Sequence, residues 1–235
     1  MIPYYRFDQL SLGPIHLHVF GTLLVLGIIT AHSLLVRRAR AMNLGSPAVI
    51  EGFAVSLGAG ALVLGFVVER LLGLGLSSAA GALGALLVGL GYALIFRLDL
   101  LRLADALAWA VPPGWLVARL GCAAAHDHLS GPSTSIFAIR FPDGPKLDLG
   151  LCEVLLLPLA IGAAHLAGQS RRQGAMAGAA ALGYALLRFP LDFLRESDIR
   201  FGGLTLAQWG CAALLIAGAV VAVISTRRAP DGGEP

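Results

Sequence analysis

The sequence predicts an all-α, polytopic membrane protein, and three observations carry that expectation. Of the 235 residues, 57% are hydrophobic and 13% charged, against roughly 25% charged in a typical soluble domain. Mean hydropathy is +0.80, more apolar surface than a soluble core of this length can hide. Apolar runs near the ~20 residues needed to cross a bilayer recur along the chain, and most stop at arginine. The length suits one helical bundle, residues 1–228. Its 30 glycines suit close helix contacts in lipid, where small residues let backbones approach.

Seven spans are expected. The first, residues 14–36, stops at Arg37, Arg38 and Arg40. It reads as a retained anchor and not a cleavable leader: Arg6 and Asp8 precede it, and a basic cluster follows it. The second (48–68) ends at Glu69-Arg70, and the third (71–96) at Arg97. The fourth (103–120) contains Pro112-Pro113, which remove two backbone donors and predict a broken helix. A long polar loop segment, 121–148, follows. The fifth (149–168) closes on Arg171-Arg172, the sixth (175–191) leads to Arg195-Glu196-Ser197-Asp198, and the seventh (204–225) closes on Arg227-Arg228. Residues 229–235 read as a disordered cytoplasmic tail.

Arginine placement sets the expected orientation. With the N-terminus outside, Arg37, Arg38, Arg40, Arg97, Arg102, Arg171, Arg172, Arg227 and Arg228 all fall inside, in short loops where the positive-inside rule applies. The long polar segment and the 195–200 loop then lie outside. The net charge of +3 is spread along the chain and forms no nucleic-acid patch. The hydropathy pattern shows no repeated halves, which argues against a secondary transporter. Cys122, Cys152 and Cys211 show no CxxC and no metal-ligand spacing, and read as core filler.

Ionisable residues within or beside spans are expensive and point to function. Arg188, Asp192 and Arg195 fall at i, i+4 and i+7, one helical face. Two arginines around one acid leave a positive surplus suited to an anion, and guanidinium geometry suits phosphate; a self-neutralising ion pair is the competing reading. Arg119 ends the fourth span, as a site residue or as a side chain snorkelling to the interface. Asp105 opens the same constellation. His126-Asp127-His128 follows, with Gly131-Pro132 turning the chain. Without a third ligand at set spacing this pair of histidines is a weak metal signal, and no metal or cofactor is expected. Acid–base work by His126 or His128 is the better use of groups that titrate near neutrality. Glu153 opens the fifth span, as a helix-terminal charge or as part of a site. His16, His18, His32 and His165 read as packing or interfacial residues.

These segments together resemble the bacterial phosphatidylglycerol–prolipoprotein diacylglyceryl transferases. The opening Ile2-Pro3-Tyr4-Tyr5-Arg6-Phe7, then Gly13-Pro14-Ile15 and Phe20-Gly21, looks like the family's start. Asp105 through Pro112, Gly114 and Arg119-Leu120-Gly121 is similar to its signature. Arg188-Phe189-x-x-Asp192-Phe193-x-Arg195-Glu196-x-Asp198, then Gly203-Leu204-Thr205-x-x-Gln208, resembles its late block, the most specific match. The departures are Ala79 where the family has histidine, Cys122 and Ala125 for signature asparagines, Asp127 for a glutamate, and Phe20 for a first-span tyrosine. Of a further motif only Glu153 remains.

The resemblance implies a seven-span enzyme of the bacterial inner membrane, N-terminus periplasmic and C-terminus cytoplasmic, with its site at the periplasmic face. Its reaction moves a diacylglyceryl group from phosphatidylglycerol, a membrane lipid, to a prolipoprotein's lipobox cysteine thiol. It implies that Arg119 and Arg188 hold the phosphate, with Asp127, His126 or His128 in catalytic roles and the base being one of these or Glu153. Asp105, Asp192, Arg195, Glu153, Phe20 and Gly131 would contact substrate. With Ala79 at the histidine position, the alternative is a non-catalytic relative that binds anionic phospholipid or a partner protein.

Overall fold

The computed structural model describes residues 1–235 except 6, 8, 14, 73–77, 197–199 and 228–235. Arg6, Asp8, Pro14, Ser77, Ser197, Asp198, Arg228 and the tail expected as disordered lie outside the described residues. Seven α-helices run through the described residues: α1 (Val19–Ala41), α2 (Pro47–Leu72), α3 (Ser78–Ile95), α4 (Leu100–Ala125), α5 (Leu149–Gly168), α6 (Ala175–Leu191) and α7 (Leu206–Arg227). Five of them, α1, α2, α5, α6 and α7, are long and apolar enough to cross a membrane, and α3 holds a shorter apolar helix, Ala80–Ile95. Leucines and isoleucines are exposed along these helices, as expected where the surrounding solvent is lipid. The chain is a mostly helical polytopic membrane protein.

The fourth helix is not broken. α4 runs without interruption through Pro112 and Pro113, which corrects the expectation drawn from that dipeptide. A helix packed among neighbours tolerates the lost donors, as is common inside membrane bundles. Gly114 follows the prolines at the crossing with α1. A Cβ there would stand 2.5 Å from the Gly27 carbonyl oxygen, and one on Gly27 2.6 Å from the Gly114 carbonyl. Glycine at both positions is what lets α1 and α4 touch backbone to backbone.

The connections between helices are more ordered than the sequence predicts. Gly121–Ala125 continue α4, and the rest of the expected loop folds into β4 (Leu129–Pro132), β5 (Ile139–Phe141) and β6 (Gly144–Asp148). With β1 (Ile2–Pro3) they form one sheet in the order β1-β5-β6-β4, in which β1 runs parallel to β5. Pro142-Asp143 makes the β5–β6 turn, between Phe141 and its partner Gly144, whose φ is 122. Residues 15–18, expected inside the first span, form β3 (Ile15–His18) of a hairpin with β2 (Gln9–Leu12), so α1 begins only at Val19. A third hairpin, β7 (Arg200–Phe201) and β8 (Leu204–Thr205), precedes α7. The apolar core, including Leu35, Ile50, Phe53, Ala93 and Leu103, joins α1, α2, α3 and α4 at the end where α1 finishes.

Candidate active site

At the other end of the bundle three helices meet on one carboxylate. Trp115 and Arg119 lie one turn apart on α4, and Tyr184 and Arg188 one turn apart on α6, so each pair shares a helical face. Both faces turn toward Glu153 of α5, which is 0% exposed. Arg119 Nε stands 3.1 Å from Glu153 Oε1, and Arg188 Nη1 donates to Oε2 at 3.2 Å. Trp115 Nε1 and the Tyr184 hydroxyl donate to Oε1 at 3.2 and 3.1 Å. The Arg119 guanidinium also lies over the Trp115 ring, 4.7 Å from its centroid. The two arginines therefore converge, and at 5% and 4% exposure they are embedded in protein.

Arg188 continues the network. Its Nη2 is 2.6 Å from Asp192 Oδ1, and Arg195 Nη1 is 4.0 Å from the same oxygen. The Thr205 hydroxyl donates to Asp192 Oδ2. Thr205 precedes α7, where Thr205 N donates to Gln208 Oε1 at 3.0 Å and Gln208 N to Thr205 Oγ1 at 3.1 Å. That reciprocal pair is a capping box. Gln208 Nε2 then donates to the Phe189 carbonyl, which ties α7 to the end of α6. Three guanidiniums against two carboxylates leave this cluster positive.

The polar segment after α4 supplies the flank. His128 Nδ1 accepts from Arg195 Nη2 at 2.8 Å, and its Nε2 is 3.7 Å from Asp127 Oδ1. Burial, with Arg119, Arg195 and Arg188 adding repulsion, pushes the His128 pKa down to about 3. The Asp127 side chain is 37% exposed, and burial of the rest holds its carboxyl above the usual range although Arg119 opposes this. Cys122 Sγ accepts from Arg119 Nη1 at 3.5 Å. Ser130 of β4 bridges to Arg195 through the backbone, which docks the sheet on the arginine cluster.

Several expected residues sit elsewhere. Asp105 is 14 residues before Arg119 on α4, about 21 Å along the axis. Its carboxylate accepts from Gly174 N at 2.6 Å and Ala177 N at 2.9 Å, capping the start of α6. It is no part of the arginine cluster, because one helix cannot bring both its ends to one site. His126, in left-handed conformation at the end of α4 (φ 52), binds Asp148 Oδ2 through Nδ1 at 2.6 Å and donates from Nε2 to the Tyr5 carbonyl at 2.9 Å. It fastens the N-terminal segment to the start of α5, so it and His128 do not act as a pair. Gly131 lies in β4 beside Ser130. Phe20 is on α1, where its carbonyl would stand 3.2 Å from a Cβ on Gly121. Ala79 is in the first turn of α3.

The sequence reading named Thr205 and Gln208 only within the family resemblance, and gave Trp115 and Tyr184 no role in the network. The available signals were an aromatic residue one helical turn before each arginine, and the Thr-x-x-Gln spacing of a capping box.

Comparisons with known proteins identify the family. Residues 8–224 match the family model described as prolipoprotein diacylglyceryl transferase. A phosphatidylglycerol–prolipoprotein diacylglyceryl transferase of Nitratidesulfovibrio vulgaris is 29% identical over 91% of this chain and 92% of its own length. That of Methylococcus capsulatus is 28% identical over 94% and 96%, and that of Idiomarina loihiensis 30% identical over 67% and 63%. A match through both arginine helices and the capping box, across nearly the whole chain, decides the matter: this chain belongs to the prolipoprotein diacylglyceryl transferase family.

Proposed function

We propose that this chain transfers the diacylglyceryl group of phosphatidylglycerol to the cysteine thiol of a prolipoprotein. The observation that carries the reading is the meeting of Arg119 and Arg188 on Glu153 inside a chain of this family. Glu153 holds the two guanidiniums side by side, a place already shaped for a second anion. A phospholipid phosphate entering along the half-buried flank of Cys122 and His128 meets both arginines. As the acceptor thiol attacks the glyceryl carbon, the C–O bond to phosphate breaks and glycerol phosphate leaves with the bonding electrons. The arginines stabilise the charge that develops there, in a site screened from water.

The thiol has a pKa of about 8.5 and needs a proton acceptor. Nε2 of His126 donates to a carbonyl, and Nδ1 of His128 accepts from Arg195. Glu153 is sealed between two arginines. Asp127 is exposed and beside Arg119, and it takes the proton. Asp192 and Arg195 position Arg188, and Phe20 lies on the helix that packs against α4. The positive-inside pattern supports a periplasmic N-terminus and site at the inner membrane, with the C-terminus in the cytoplasm.

The test uses purified protein in phosphatidylglycerol vesicles with a lipobox peptide carrying one thiol, and detects the thioether product by mass. Wild type forms it, and Arg119→Ala or Arg188→Ala slows it by about a hundredfold to a thousandfold. Lipid binding with no product in wild type would leave the non-catalytic reading in its place.

A further inference from the structure

Cys122, Asp127 and His128 come together without any spacing that the sequence displays. One ligand atom from each, the Cys122 sulfur, an Asp127 carboxylate oxygen and a His128 ring nitrogen, lies within 4.8 Å of the others. Around a tetrahedral zinc ion such atoms stand about 3.3–3.7 Å apart, given bonds of ~2.0–2.3 Å. Rotations of exposed or half-buried side chains close that gap. The trio sits at the end of α4 and in the turn that follows, so the helix holds Cys122 in place and side-chain rotation is what adjusts Asp127 and His128.

We propose that Cys122, Asp127 and His128 bind a thiophilic divalent cation of the zinc class, and that its binding switches the transferase site off. The proposal rests on the function given above. The Cys122 thiol gives up its proton on binding. Thiolate and carboxylate together balance the cation's two positive charges, so the bound site is neutral; because the Asp127 carboxylate is already an anion, binding with release of the thiol proton raises the local charge by one. Arg119 Nη1, 3.5 Å from the sulfur, then donates to a metal-bound thiolate. A water completes the fourth position.

His128 gives the site its regulatory consequence. Because Arg195 donates to Nδ1, the ring proton sits on Nε2, the nitrogen nearer Asp127. To offer Nε2 to a cation, the proton must move to Nδ1, and Arg195 must then withdraw. Cation binding and the Arg195–His128 contact therefore exclude each other. Binding also takes Asp127, the proton acceptor, out of use.

The experiment titrates cobalt(II), as a spectroscopic probe, into the purified full-length protein in detergent. The expected result is a near-ultraviolet thiolate-to-cobalt charge-transfer band, displaced by zinc and absent in both Cys122→Ala and Cys122→Ser, whose thermal unfolding is checked against wild type. Zinc is expected to suppress thioether formation by wild type at least tenfold, reversed by a chelator, and to leave whatever activity Cys122→Ser has unchanged. No thiolate band in wild type, or a band that survives in both variants through Cys152 or Cys211, overturns the site. A Cys122-dependent band in a protein that makes no thioether overturns the transferase reading and keeps the site; an active enzyme without the band does the reverse.

Discussion

Asp127 and His128 are neighbours in the chain and carry opposite shifts from burial. The Asp127 carboxyl lies above its ordinary range, because taking it out of water disfavours the anion. A base must be deprotonated to work, so transfer rises with pH as Asp127 loses its proton, at a pH above the usual ~3.9 of an aspartate. Asp127→Asn is expected to lower the maximal rate by about a hundredfold or more and to erase that limb, while Asp127→Glu keeps it; a pH–rate series on the three proteins measures this. Burial, with Arg119, Arg195 and Arg188 adding to it, holds the His128 pKa down to about 3 in the folded protein, against 6.5 for an ordinary imidazole. Below pH 6.5 the unfolded chain gains a proton there that the folded chain refuses, so this contribution to stability is lost as pH falls from 6.5 toward 3. Replacing His128 by Asn is expected to flatten that part of the curve, read as melting temperature against pH in detergent.

Among the elements, α4 has a different partner at each end. Its C-terminal half presents Trp115 and Arg119 to Glu153, and its N-terminal end presents Asp105 to the first backbone N–H groups of α6. A helix start leaves such donors unsatisfied, and a capping carboxylate supplies the acceptor. Asp105→Ala is expected to cost ~1 kcal/mol of stability, visible as a lower melting temperature, while the folded fraction keeps its turnover per molecule. A loss of turnover as large as that in Arg119→Ala would return Asp105 to the substrate-binding set. The sequence showed Asp105 as a charged residue in a span, and its family resemblance suggested substrate. What it lacked was the partner, since the Gly174 and Ala177 N–H groups lie some 70 positions on and belong to the backbone. The strands were missed for a related reason. A two-residue strand such as β1 has no periodicity of its own, and its existence depends on β5, more than 130 residues away.

Across the whole molecule, contacts between small residues set how near the helices stand. Gly27 against Gly114 joins α1 to α4, and Gly60 against Gly84 joins α2 to α3 with their carbonyls closer than any Cβ allows. Adding a side chain there must push two helices apart. Gly114→Leu is expected to destabilise the protein by about 1–3 kcal/mol or more, and to lower transfer as well, because α4 carries Arg119; melting temperature and thioether yield together check this. Gly60→Leu, on the α2–α3 pair, is expected to reduce stability by a similar amount.

By itself the sequence determined the solvent and the inventory. Apolar runs of bilayer length, closed by arginines, require membrane helices whatever the fold, because lipid offers backbone groups no partner outside the helix. The charged residues that survive in such a chain are few enough to name Arg119, Arg188, Asp192, Arg195 and Glu153 in advance. Only the tertiary structure decided who meets whom: that Glu153 stands between the two arginines, that His126 and His128 part company, that Asp105 serves α6, and that α4 passes its two prolines intact. Those outcomes are set by which helix faces touch, and contact between faces far apart in the chain leaves no local mark in the order of the residues.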